Sequence, residues 1–70
     1  MTAQSARIKL FAMPDEMPVF VLLGSDPCAQ AAVLQWMIEA RNREVSLDKI
    51  HGALRVMEEM SAWLPKKVPD

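Results

Sequence analysis

Several features are scarce in this chain of 70 residues, and each scarcity excludes a class of structure. A single cysteine rules out an internal disulfide and suits a reducing compartment. The longest apolar run, residues 19–23, is too short to span a bilayer, and the N-terminus lacks the long apolar core of a secretion signal. The formal net charge of −1 is far from the basic excess of a typical nucleic-acid binder. We therefore expect a cytoplasmic protein without a membrane partner, for which nucleic acid is an unlikely ligand.

The small size of the chain predicts association. A domain of this length buries only about 60% of the surface of its unfolded chain, which makes it marginal on its own. Below roughly 70–80 residues, disulfides, a metal or oligomerisation usually supply the missing stability. The sequence contains neither a disulfide pair nor a cluster of metal ligands, while 51% of its residues are hydrophobic. A homodimer is the prediction that follows.

One short β-strand is predicted near the N-terminus, at residues 19–23. Side chains alternate along a strand, so Val19, Val21 and Leu23 would face one way and Phe20 and Leu22 the other. Residues 1–17 are predicted to be a flexible arm, within which residues 7–11 could also form a short strand. Residues 18–64 are predicted to form the dimerisation domain, and residues 65–70 an extended tail.

Two helices are predicted after the strand. Asp26 followed by Pro27 is typical of a helix start, and this helix should run to about Asn42. Ser46 should cap a second helix that runs to about Leu64 and stops at proline. Helical periodicity places one apolar face on each helix. The predicted faces are Ala29, Val33, Trp36, Met37 and Ala40 on the first helix, and Leu47, Ile50, Ala53, Leu54, Met57, Met60 and Leu64 on the second.

The order of these elements resembles the ribbon-helix-helix family of Arc-type repressors. The matching stretches are MPVFVLL for the ribbon, DPCAQAAVLQWMIEARN for the first helix and SLDKIHGALRVMEEM for the second, within residues 17–63. The resemblance implies a mainly α protein with one short N-terminal β-strand, built as an intertwined homodimer with a two-stranded intermolecular ribbon and four helices. In that family, polar ribbon side chains read base edges, whereas Val, Phe and Leu at residues 19–23 cannot.

A second resemblance concerns function. The stretches EMPVFVLLGSDP and MEEMSAWLPKKVPD look like small early proteins of transposable bacteriophages. One such protein is an anti-quorum-sensing protein that disables a host LuxR-type transcription factor. This similarity implies a host-takeover protein that acts in the host cytoplasm by binding and inhibiting a host protein. The alternative is a ribbon-helix-helix DNA-binding regulator or antitoxin, supported by Ser46 with nearby Arg41 and Arg43, which could frame an anionic site.

The candidate partner-binding residues are Val56, Trp63, Arg41 and Arg43. Val56 and Trp63 are seven residues apart and lie opposite the main apolar face of the second helix. Tryptophan is enriched at binding hot spots, although a dimer interface would explain these two side chains equally well. The candidate dimer ribbon is Val19, Phe20, Val21, Leu22 and Leu23.

Enzyme chemistry finds no support in the sequence. Cys28 at a helix start and His51, the only histidine, are the nearest approach to a nucleophile and a base, but no acidic partner is paired with the imidazole. One cysteine and one histidine fall short of the four ligands usual for zinc. We therefore expect no catalytic residue, no metal and no cofactor.

Overall fold

Three helices make up the regular structure of residues 1–68, the part of the chain that the computed structural model describes. Helix α1 spans Ala3–Phe11, α2 spans Ala29–Asn42 and α3 spans Leu47–Ala62. The short connection between α2 and α3 makes them antiparallel neighbours, and they pack along each other, whereas α1 packs against neither. None of the described helices is long and apolar enough to cross a membrane. The predicted tail reaches residue 70, so its last two residues lie outside the described part.

The predicted β-strand at residues 19–23 is wrong, and so are the ribbon and the intertwined ribbon dimer that depended on it. The described residues form three helices and no strand. A strand is stable only when its N–H and C=O groups pair with a neighbouring strand, and residues 1–68 provide none. Residues 19–23 form an irregular connection instead, and four of their five side chains are exposed. The short apolar run that predicted a strand therefore belongs to a segment with no strand beside it.

The N-terminal segment also differs from the prediction, because residues 7–11 belong to a helix. Thr2 begins α1 with a capping box: its hydroxyl accepts from the N–H of Ser5, and the Ser5 hydroxyl accepts from the N–H of Thr2. Alanine, glutamine, arginine, lysine and leucine follow, all of which favour helix. The apolar residues Ile8, Leu10 and Phe11 do not share one face and are exposed. This explains why α1 forms locally but remains unpacked.

The two predicted helices are confirmed, with small changes at their ends. The Asp26 carboxylate accepts from the N–H of Cys28 at 2.7 Å, which makes a turn before α2 and moves the helix start to Ala29. Ser46 caps α3 as expected, because its hydroxyl accepts from the N–H of Lys49. Asp48 lies in the first turn of α3, where a negative charge is favourable.

The interior between α2 and α3 is small. Among the described residues only Ala29 and Ala40, one at each end of α2, are buried. The half-buried side chains around them are Val33, Met37, Ile50, Ala53, Met57 and Met60, which confirms most of the two predicted apolar faces. Leu47, Leu54 and Leu64, which were predicted for the same face of α3, are exposed. Two helices make a single layer, and a single layer cannot enclose both sides of its apolar residues.

The turn from α2 to α3 has an unusual residue at its centre. The N–H of Val45 donates to the carbonyl of Ala40 at 2.9 Å, and the N–H of Glu44 donates to the carbonyl of Arg41 at 3.1 Å. These two bonds define a Schellman motif, which needs a left-handed residue at the position of Glu44. Glu44 has φ of 59°, a conformation that costs an L-residue roughly 1–2 kcal/mol and that glycine adopts freely.

The segment after α3 folds back onto the connection before α2. The Lys66 ammonium donates to the carbonyl of Gly24 at 2.9 Å and also to the carbonyl of Met60. The N–H of Lys67 donates to the carbonyl of Ser25 at 2.8 Å. These bonds join the C-terminal segment to the open end of the hairpin, opposite the turn that contains Glu44.

Replacing Glu44 by glycine should stabilise the protein. Glycine has no Cβ atom to disfavour the left-handed conformation. The free energy of unfolding, measured by urea denaturation, should therefore rise by about 1 kcal/mol. Glu44→Ala is the control, since it removes the same charge near the C-terminal end of α2 but keeps the Cβ atom. Equal stabilisation by alanine and glycine would mean that the charge, and not the backbone conformation, sets the cost.

Removing the ammonium of Lys66 should loosen the C-terminal segment. Lys66→Met keeps an aliphatic chain but loses both hydrogen bonds, so the free energy of unfolding should fall by about 1 kcal/mol. Lys9→Met, on the exposed surface of α1, should change it by less than about 0.5 kcal/mol. Both variants should be measured at one protein concentration. If the two changes were equal, the Lys66 bonds would contribute nothing to stability.

Candidate functional site

An apolar groove of about 470 Å³ runs between α2 and α3 on one side of the hairpin. Its walls come from both helices, and Leu22 and Met1 contribute from the N-terminal part of the chain. The lining residues on the helices are Ala32, Val33 and Trp36 of α2 and Lys49, Gly52, Ala53 and Val56 of α3. We call this feature the α2–α3 groove. Small residues line much of it, which leaves a depression that larger side chains from outside could enter.

Trp36 is the largest side chain of the α2–α3 groove. It is 46% exposed, although the sequence placed it on the inward face of α2. Gly52 lies across the groove on α3, and a Cβ atom added there would meet nothing within 4 Å. The space above Gly52 is therefore open to solvent. Lys49 is the only charged residue in the lining, and its side chain is long enough to keep the ammonium in water beside the apolar wall.

A second apolar surface is formed by residues 19–23, which we call the apolar loop. Leu22 turns into the α2–α3 groove, while Val19, Phe20, Val21 and Leu23 are exposed, Phe20 to 86%. The N–H groups of residues 19–22 donate to no group among residues 1–68. The loop is bounded by Pro18 and by the turn in which the N–H of Asp26 donates to the carbonyl of Leu23. It therefore presents apolar side chains together with unpaired backbone donors.

The four residues predicted to bind a partner lie in different parts of the hairpin. Val56 lines the α2–α3 groove. Trp63 follows α3 and is 61% exposed, and its Cβ and Cγ atoms lie 3.6 Å from where a Cβ on Gly24 would stand. Arg41 and Arg43 lie at the opposite end, where α2 turns into α3. A helix of the length of α2 spans about 20 Å, so the arginines and Trp63 do not form one patch.

The predicted anion-binding site near Ser46 has fewer unpaired groups than the sequence indicated. The guanidinium Nε of Arg43 lies 2.8 Å from an oxygen of Glu39, one turn back along α2, in an exposed ion pair. The Ser46 hydroxyl accepts from the N–H of Lys49 and so serves its own helix. Arg41 is exposed in the last turn of α2, where a positive charge suits the helix end. Local helix stabilisation accounts for each of these groups.

Cys28 and His51 are placed in different parts of the hairpin. Cys28 is exposed just before α2, and its N–H donates to Asp26. His51 is exposed one turn into α3, towards the other end of the hairpin, and the two side chains share no hydrogen bond. Within residues 1–68, no group of three or more histidine, cysteine, aspartate or glutamate side chains could hold a metal ion.

Sequence reasoning missed that Leu22, Trp36, Gly52 and Val56 lie together in the α2–α3 groove. Leu22 was assigned to a ribbon, Trp36 to the interior, and Val56 to the far side of α3. Gly52 was given no role. One signal was available: Gly52 and Ala53 leave little side-chain bulk on α3, one turn before Val56.

Comparison of the chain with protein-family models, with curated proteins and with solved structures gives no match.

Proposed function

We propose that this protein acts by binding another protein through the apolar loop, residues 19–23, and that it inhibits or redirects that partner without catalysis. The observation that carries the proposal is the exposure of Val19, Phe20, Val21 and Leu23 together with the unpaired N–H groups of residues 19–22. Exposed apolar clusters of this kind are typical of interaction sites.

The proposed mode of binding is addition of the loop to an exposed sheet edge of the partner. In such complexes main-chain hydrogen bonds supply affinity, and alternate side chains enter pockets that supply specificity. β-Branched and aromatic residues such as Val19, Phe20 and Val21 suit a strand once a partner strand is present. The loop thus has strand composition but no strand beside it, and the partner would provide the missing edge.

The resemblance to small phage early proteins suggests a partner class to test first. We propose that the partner is a host transcription regulator in the bacterial cytoplasm, of which the LuxR type is one example. The single cysteine, Cys28, is compatible with that compartment. The alternative of a ribbon-helix-helix DNA-binding regulator or antitoxin relied on a ribbon that the described residues lack. Ser46 and Arg43 are both occupied locally, so no specific observation favours that alternative.

Phe20→Asp should weaken partner binding while leaving the fold intact. Because Phe20 is 86% exposed, the aspartate stays in water and the helical circular dichroism should not change. In a sheet-edge complex the same charge would be buried unpaired, so affinity should fall by at least about tenfold. The measurement is capture of bacterial proteins on immobilised wild-type and variant chains, followed by titration of the captured protein in purified form.

Phe11→Asp is the matched control. Phe11 is 94% exposed and lies on α1, outside the apolar loop, so the same substitution there should leave binding unchanged. If the two variants lost the partner equally, or if neither did, the apolar loop would not be the binding element. A partner that purifies only with the unfolded chain would also contradict the proposal.

A further inference from the structure

The chain exposes more surface than a folded monomer of its mass should. Its accessible area is 6125 Å², whereas a compact monomer of 7.9 kDa exposes about 4,400 Å². The radius of gyration is 12.9 Å, against about 11 Å expected for a domain of 70 residues. The chain therefore carries an excess of about 1,700 Å² of surface.

This excess is large enough for a dimer interface. A standard interface buries about 800 Å² on each partner, and obligate homodimers bury more. Part of the excess belongs to α1, which packs against neither other helix. Even half of it, about 850 Å², would supply one side of a standard interface. Part of the open surface lies on α2 and α3, where Leu34, Trp36, Ile38, Leu47 and Leu54 are exposed, and a second copy would cover it.

The described residues lack two other means of stabilising so small a chain. Cys28 is the only cysteine, so no internal disulfide can form. Residues 1–68 contain no group of side chains that could hold a metal ion. Chains of this size that lack both usually associate. A helical hairpin with one apolar side also needs a second layer, and another hairpin of the same kind is the simplest one.

We propose that the α2–α3 groove is the interface of a homodimer in which two hairpins pack face to face as a four-helix bundle. Two-fold symmetry brings the same patch of both copies together, so Trp36 of each copy packs into the depression beside Gly52 and Val56 of the other. Lys49 stays at the rim with its ammonium in water. This dimer is made by helices, contains no ribbon, and leaves Phe20 free for the partner of the apolar loop.

Gly52→Arg tests the interface without destabilising the hairpin. The space beside Gly52 is open, and arginine is a better helix former than glycine, so the hairpin should keep its helical circular dichroism. In the dimer the guanidinium would stand where the two hairpins touch and would keep them apart. The dissociation constant of the dimer should therefore rise by at least about thirtyfold, as for loss of one interface hot spot. The control is His51→Arg, which places the same guanidinium at the adjacent residue. His51 is exposed and lies outside the groove, so this variant should leave the dimer intact.

Light scattering coupled to size exclusion supplies the readout. The wild type and His51→Arg should have twice the chain mass of 7.9 kDa at micromolar concentration, and Gly52→Arg should have the chain mass. A wild-type monomer would overturn the proposal. So would a Gly52→Arg chain that dimerises as well as the wild type, because the interface would then lie elsewhere.

A second measurement needs no disruptive change in the groove. Trp63→Phe leaves Trp36 as the only tryptophan. Trp36 is 46% exposed in one chain, so its quenching by iodide should fall as concentration rises and dimers form. Quenching that stays constant while the mass doubles would contradict the groove as the interface. Phe20→Asp should not affect either readout, so failure of the dimer and failure of partner binding through the apolar loop are distinguishable.

Discussion

The turn at residues 43–46 is the constraint on which the rest of the structure depends. Two helices alone have few ways to hold each other, and here a Schellman motif ends α2 and Ser46 begins α3 almost at once. The short connection makes the helices antiparallel neighbours. Ala29 and Ala40, one at each end of α2, are the buried residues of the described part of the chain. At the other end, Lys66 bonds to Gly24 and holds the C-terminal segment in place.

The limited interior of this hairpin accounts for its surface. With two buried residues among those described, most apolar side chains of the chain face outward or into the α2–α3 groove. Burial of apolar area is the main favourable term in folding, and it is incomplete here. Apolar surface that a chain of this size leaves open is also surface available for association. Stability and the proposed binding are therefore linked in this protein, since the residues that a larger domain would use as core are those left open for association.

The apolar loop and the α2–α3 groove offer different kinds of contact. The groove is formed mainly by side chains of two helices, so it offers a surface for side-chain packing. The loop has unpaired N–H groups, so it can gain main-chain hydrogen bonds that no helix can offer. Leu22 belongs to both features, because it lies in the loop sequence and turns into the groove.

The sequence by itself determined the elements whose stabilising bonds are local. Ser46 capping α3, the turn at Asp26 and the inward stripes of α2 and α3 all follow from residues within a few positions of each other. The capping box of Thr2 and Ser5 was equally local and could have predicted α1. Only the tertiary structure decided the rest. Whether residues 19–23 form a strand depends on a distant or separate partner strand, and which side of α2 and α3 stays open depends on how the two helices rotate against each other. Both are set by contacts between parts of the chain that the local pattern does not relate.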